Sequence, residues 1–253
     1  MKRIVLFGTG NVATHLFEAY KNSDNFKIIQ VYNHASETLQ AFKDQVAITT
    51  NLDELAPADI YIFALKDDVL AELSKKIKET DALVLHTSGA VSKEVFHKFK
   101  NHGVFYPLQT FSKNKEVDFS NIPICIEANT KANTNSLKEL GSEISEKIFE
   151  ISSQQRKSLH VAAVFVSNFV NFLYTEGEKI CQDNLIPFEI LHPLILETAS
   201  KVTKMSPMES QTGPAKRKDQ DVINSHLELL NEEQQKIYSL LTQSIQNLHG
   251  KEL

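Results

Sequence analysis

Through the first 152 residues, short apolar runs alternate with segments of helical period. The runs Arg3–Phe7, Lys27–Tyr32, Ala47–Thr49, Ile60–Ala64, Leu83–His86, Val104–Tyr106, Ile124–Glu127 and Lys147–Ile151 predict eight strands. Several are apolar without alternation, as expected when helices cover both faces of a parallel sheet. Helical patterns fill the gaps over Val12–Lys21, Glu37–Phe42, Val69–Lys78, Lys93–Lys100 and Asn135–Glu146. Asp68, Ser92 and either Asn133 or Thr134 are the candidate N-caps. This order predicts a doubly wound α/β domain over residues 1–152.

From residue 153 to the end only helical patterns remain, so residues 153–253 are expected to form an all-α domain. Ser153–Asn184 holds no proline and a single glycine, Gly177, and reads as one long helix. Between Val161 and Leu173 it is apolar nearly all round, which predicts burial in a bundle or a subunit interface. Counted at about 100° per residue from His160, the polar residues Ser167, Asn171, Tyr174 and Glu178 return to within about 40° of one line. Asn168 sits at the edge of that stripe. Further helices are predicted over Phe188–Met205, Asp221–Leu230 and from Asn231 onward, where Asn231 and Gln234 have capping-box spacing. Between them, Glu209–Asp219 is expected to be a loop with three cations, Lys216, Arg217 and Lys218, suited to a solvated face, an anion or an interface.

The strand ends carry the candidate chemistry, because doubly wound sheets bind ligands there. Gly8-Thr9-Gly10-Asn11-Val12-Ala13 follows the first strand and opens the first helix, with the G-x-G-x-x-A spacing of a dinucleotide-binding loop. Gly8 would allow the sharp turn, Gly10 the close approach of a pyrophosphate, and Ala13 close helix packing. The helix N-terminus would face the phosphates. The second strand ends in Asn33, His34, Ala35 and Ser36, with no acidic residue to hold both ribose hydroxyls. Its absence favours NADP over NAD, with His34, Ser36 and Lys43 as partners for a 2′-phosphate. Ala64, Leu65 and Lys66 would line the cofactor, and Asp68 would cap the next helix. His86, Thr87, Ser88 and Gly89 end the fifth strand and are expected to face the nicotinamide region. Pro107 stiffens the following loop, where Gln109 and Thr110 offer polar contacts.

Composition narrows the partners. The 253 residues carry a net charge of -5, which argues against nucleic acid as the main partner. No apolar run approaches the ~20 residues that cross a bilayer, and Lys2-Arg3 lead straight into a strand, so neither a membrane span nor a leader is expected. Cys125 and Cys181 sit alone in apolar surroundings and read as buried thiols of a cytoplasmic protein, with no metal site.

Taken together, the glycine loop, Ala64-Leu65-Lys66-Asp67-Asp68, the segments at 86–90 and 106–111, the run from His160 to Asn168 and the run from Gln211 to Asp219 resemble one family. It pairs a Rossmann-like domain with the helical domain of unknown function 2520, and is related to pyrroline-5-carboxylate reductase and to reductases resembling F420-dependent NADP oxidoreductases. The resemblance implies a two-domain NADP-binding protein, a homodimer built through its helical domains, and a cleft in which a residue of the long helix faces the nicotinamide. Lysine often fills that position in hydroxyacid dehydrogenases; here Lys157 lies about 60° off the stripe.

The expected function is therefore NADP(H)-dependent oxidation or reduction of a small C=O/C–OH or C=N/C–N substrate. His160 would be the proton donor, since imidazole titrates near neutrality, with Ser88 and Asn168 orienting the substrate. The competing expectation is an NADP(H)-binding sensor or dimeric scaffold without hydride chemistry.

Overall fold

The computed structural model describes residues 1–113 and 115–250; the terminal Lys251-Glu252-Leu253 lies outside them. The chain divides into two compact units, Met1–Ser167 and Asn168–Leu253.

The first unit is built on eight strands: β1 (Lys2–Phe7), β2 (Phe26–Tyr32), β3 (Ala47–Thr49), β4 (Ile60–Phe63), β5 (Leu83–His86), β6 (His102–Pro107), β7 (Ile124–Ala128) and β8 (Ile148–Glu150). They form one sheet in the order β3-β2-β1-β4-β5-β6-β7-β8. All eight expected strands are present, within two residues of the expected ends. The period of two sorts β1 between two cores: Ile4 and Leu6 pack on one face with Leu16, Phe105 and Leu137. Val5 and Phe7 pack on the other with Phe63, Leu70 and Phe96. Both faces are covered, which is why the strands read as continuous apolar runs.

One pairing departs from an all-parallel sheet. β6 and β7 run antiparallel, with Phe105 opposite Ile126 and Tyr106 opposite Cys125. A parallel pair needs a crossover, usually a helix. The described residues between these strands form only a 3-10 turn, Phe119–Asn121.

Among and after the strands this unit carries the helices α1 (Asn11–Tyr20), α2 (Ser36–Leu39), α3 (Asp67–Lys76) and α4 (Lys131–Ser142), followed from Ser153 by the start of a long helix. Two caps differ from expectation. Asp68 lies inside the first turn of α3, where its charge complements the helix dipole, and Lys66 is the N-cap residue. Thr130 caps α4 by accepting from the Asn133 amide, four residues ahead of the helix expected from periodicity. Ser92 does cap the next element, but that element is a 3-10 turn, Lys93–Phe96, rather than a helix to Lys100.

The helix that begins at Ser153 continues to Asp183, as expected, but not uniformly. It runs as α5 (Ser153–Ala163), a π-helical segment (Val164–Phe169) and α6 (Val170–Asp183). A π turn advances each residue by less than the α-helical angle, so the polar stripe counted from His160 does not continue as one straight line. Nor is its apolar surface buried within the chain. Val161 and Val166 are exposed, Val166 to 75%. Among the described residues this helix is also long and apolar enough, at a mean hydropathy of 1.3, to cross a membrane by length and composition alone. Its spaced polar residues break every strictly apolar run and so conceal that property from a search for unbroken stretches.

The second unit adds α7 (His192–Val202), α8 (Pro207–Ser210), α9 (Pro214–Arg217), α10 (Gln220–Glu228) and α11 (Glu232–His249). The expected helix from Phe188 begins as a 3-10 turn, and Pro193 sits at the start of α7, where a missing N–H costs nothing. The expected loop at 209–219 instead contains the end of α8 and the single turn α9. Asn231 and Gln234 form the expected capping box of α11.

Candidate active site at the strand ends

The strand order reverses between β1 and β4, which defines the crevice where doubly wound sheets bind dinucleotides. Gly8 stands at that point with φ +113°. Its N–H donates to the Tyr32 carbonyl at 2.8 Å, and an added Cβ would lie 2.3 Å from the Ala64 carbonyl oxygen. The glycine is thus demanded by conformation and by the approach of β4.

Gly10 differs. It is the N-cap residue of α1, with ordinary extended backbone (φ -76°) and no side-chain cap. A Cβ there would meet nothing within 4 Å. The first turn of α1 carries no acidic residue and Gly10 offers no side-chain cap, so no carboxylate of that turn competes for the positive end of the helix dipole. Ala13 is fully buried in the core, as a residue between closely packed helix and strand must be. Asn11 is spoken for in part: its Nδ2 donates to the Phe111 carbonyl at 2.8 Å, tying the loop after β6 to the start of α1.

At the end of β2, Asn33 is buried and organises the loop rather than waiting for a ligand. Its Nδ2 donates to Thr9 Oγ1 at 2.9 Å and to Thr38 Oγ1 at 2.6 Å. Thr38 was not among the expected site residues; it joins the glycine loop to α2. His34 and Ser36 are exposed here, Ala35 is half-buried, and Lys43 is exposed. Across the crevice Ala64 is buried, Leu65 half-buried and Lys66 exposed.

His86 overturns the expectation that it faces the crevice. It has 0% exposure, and both ring nitrogens are used inside the fold. Nε2 lies 3.3 Å from the Ser92 carbonyl, and Nδ1 accepts from the Ser88 N–H at 3.2 Å. The carbonyl can only accept, so the proton sits on Nε2. Burial, with the nearby Arg156 charge second, lowers its pKa to about 4, so it stays neutral near pH 7. Ser88 Oγ accepts from the Ala90 and Val91 amides at 3.1 and 3.0 Å, holding the turn and leaving its own proton to donate.

His160 comes to the ends of β5 and β6. Its Nδ1 is 3.1 Å from the Tyr106 hydroxyl, with the rings edge to face. Gly89 makes room for both: a Cβ would fall 2.7 Å from His160 Nδ1 and 2.8 Å from Tyr106 Cζ. Pro107 is buried, and Gln109 and Thr110 are exposed and bonded to each other. Asn168 is exposed and opens the second unit, while Ser88 and His160 belong to the first.

A buried charge cluster that the sequence did not disclose fixes the base of α5. Arg156, 1% exposed, donates from Nη1 to Glu127 Oε2 at 2.8 Å and from Nη2 to the Val91 carbonyl at 2.5 Å. Lys93 and Ser153 also donate to Glu127, at 2.8 and 2.6 Å. Burial alone would raise the Glu127 pKa, but these donors outweigh it and hold it at about 2. The only sequence signal was an acid in the apolar strand around Ile126 and an arginine one turn before His160.

The comparisons with known proteins agree with this architecture. The family model for the domain of unknown function DUF2520 matches residues 122–245. A Bacteroides fragilis protein, provisionally named an NADP oxidoreductase, is 41% identical over 97% of this chain and 98% of its own, with a TM-score of 0.90. An imine reductase from Myxococcus stipitatus, solved with NADP+, has a TM-score of 0.69 at 11% identity over 98% of this chain and 93% of its own. The 1-pyrroline-5-carboxylate reductase of Streptococcus pyogenes has a TM-score of 0.62 at 15% identity over 99% and 97%. At those identities the last two establish the fold. No curated protein matches the chain. The fold and strand-end loop define a Rossmann-like dinucleotide-binding architecture with a helical C-terminal region. The chain belongs to the family of such proteins that carries DUF2520.

Proposed function

We propose that the protein is an NADP(H)-dependent oxidoreductase acting on a small C=O/C–OH or C=N/C–N substrate. The observation that carries this reading is the space over Gly10, open to a phosphate at the unencumbered N-terminus of α1, at the reversal point of the sheet. The Bacteroides relative's name and the NADP+ bound by the imine reductase support the same cofactor. The uncharged end of β2, with His34 and Ser36 exposed, suits a 2′-phosphate.

When bound, NADPH supplies the hydride. The chain supplies position and a proton. Gly8, Thr9 and Gly10 shape the phosphate turn, with Asn33 and Thr38 holding Thr9 in place. Ser88 has an O–H proton to donate to a substrate, and His160 Nε2 has no hydrogen-bond partner among the described residues. Gly10→Ala tests the cofactor reading cleanly. The variant is expected to keep its folding stability within about 1 kcal/mol, the poorer N-cap being offset in part by the lower entropy of the unfolded chain, and to lose about tenfold or more in NADPH affinity, read by nucleotide fluorescence. Unchanged affinity would remove the phosphate role from this loop.

The exposed apolar face of α5–α6 is proposed to bind a second copy of the chain. Val161 and Val166 are exposed in the single chain, and burying such residues is worth about 1.5–3 kcal/mol each. Sedimentation is expected to give a dimer, and Val166→Glu a monomer. A monomeric parent protein, or one that sediments with lipid vesicles, would overturn this. Two buried free thiols, Cys125 and Cys181, support a cytoplasmic location; cell fractionation tests it.

A further inference from the structure

We propose that Tyr106 is the positioning residue of the site, holding the neutral His160 ring with its proton on Nδ1 so that Nε2 is the nitrogen that exchanges a proton with the substrate. This rests on the oxidoreductase reading above and names a residue that reading did not contain. The first observation is the 3.1 Å contact between His160 Nδ1 and the Tyr106 hydroxyl. The second is Gly89, whose missing Cβ leaves the notch occupied by His160 Nδ1 and the Tyr106 ring; any larger residue would drive the pair apart. The third is the clamp below: Arg156, one helical turn before His160, is locked to Glu127 and to the Val91 carbonyl. The ring therefore stands on a fixed turn, against a fixed partner, beside Gly89.

The chemistry of proton donation gives this contact a direction. For reduction, a hydride reaches the carbon of the C=O or C=N bond as the π pair moves to the heteroatom. The heteroatom takes the proton from Nε2 of the imidazolium. A C–H and an O–H or N–H bond form and the π bond and the Nε2–H bond break; the electron pair of the hydride would come from NADPH, leaving NADP+. The imidazole left behind must keep its remaining proton on Nδ1, and a donor there needs an acceptor. Tyr106 is the oxygen placed to accept it. Burial raises the phenol pKa, so Tyr106 accepts as a neutral hydroxyl whose own proton stays free to turn toward a substrate.

The test is 15N NMR of histidine-labelled protein at a pH of about 9, above the ordinary histidine range, with the His160 signals assigned by their loss in His160→Gln. The Nδ1–H tautomer is expected to predominate, and Tyr106→Phe to shift the ratio toward Nε2–H about fivefold, the net worth of one hydrogen bond. Predominance of Nε2–H in the unsubstituted protein, which needs no variant to fold, overturns the inference. So does a tautomer ratio that Tyr106→Phe leaves unchanged. An NADPH titration of the same sample separates the two readings. Binding with the wrong tautomer sinks only the role of Tyr106, whereas no binding sinks the oxidoreductase reading and the catalytic meaning of the pair with it.

Discussion

Glu127→Gln is expected to destabilise the protein by about 3–5 kcal/mol, the usual cost of stranding one member of a buried ion pair. Arg156 is 1% exposed, and its Nε is already buried with no hydrogen-bond partner among the described residues. Removing the carboxylate charge leaves the guanidinium with the Val91 carbonyl, Ser153 Oγ and a weaker amide acceptor. Lys93 loses its best partner too. Urea denaturation at pH 7 reads the loss; a change under about 1 kcal/mol, the range of a surface pair, would show that water reaches the cluster. The pH profile gives a second reading. The folded-state pKa of about 2 is depressed from 4.5, so the stabilisation is complete above about 4.5 and is lost as pH falls toward about 2. Glu127→Gln is expected to remove that acid limb. Replacing both partners by apolar residues, Glu127→Leu with Arg156→Met, is expected to recover much of the loss, because neither charge is then left buried alone.

Gly8→Ala is expected to cost about 2–6 kcal/mol, the sum of backbone strain and overpacking at one position. At φ +113° an alanine is strained whatever surrounds it, and here its Cβ would also lie 2.3 Å from the Ala64 carbonyl oxygen. Relief requires β4 to move from β1 at the reversal point of the sheet, so NADPH binding is expected to fall together with stability. Against a typical total of about 5–15 kcal/mol, the variant should melt far below the parent protein. Gly10→Ala, two residues away, is the internal contrast: there the methyl group meets open space, and only ligand binding should suffer. A Gly8→Ala variant as stable as the parent would refute the account of the turn.

The amino-acid sequence by itself determined the strands, because a sheet buried on both faces requires apolar runs bounded by turn residues, and such runs are local. It also determined the glycine loop, where the residue type at Gly8 follows from the backbone geometry of the turn. The helix from Ser153 and the capping box at Asn231 were legible for the same reason: period and caps are properties of neighbouring residues.

Only the tertiary structure decided which polar residues serve the fold and which remain available. His86 and Ser88 stand two residues apart and are equally polar in the sequence. Both are buried, but packing under Phe96 and the Ser92 carbonyl uses both nitrogens of the imidazole, while the Ser88 hydroxyl only accepts and keeps a proton to give. The antiparallel β7, the π segment at Val164–Phe169, the Glu127–Arg156 pair and the meeting of Tyr106 with His160 were likewise out of reach. Each depends on contacts between residues separated by tens of positions or on a small change of helical pitch, and neither leaves a periodic trace. The hydrophobic pattern specifies which faces must leave water, whereas the pairing of buried polar groups is settled by the geometry that burial creates.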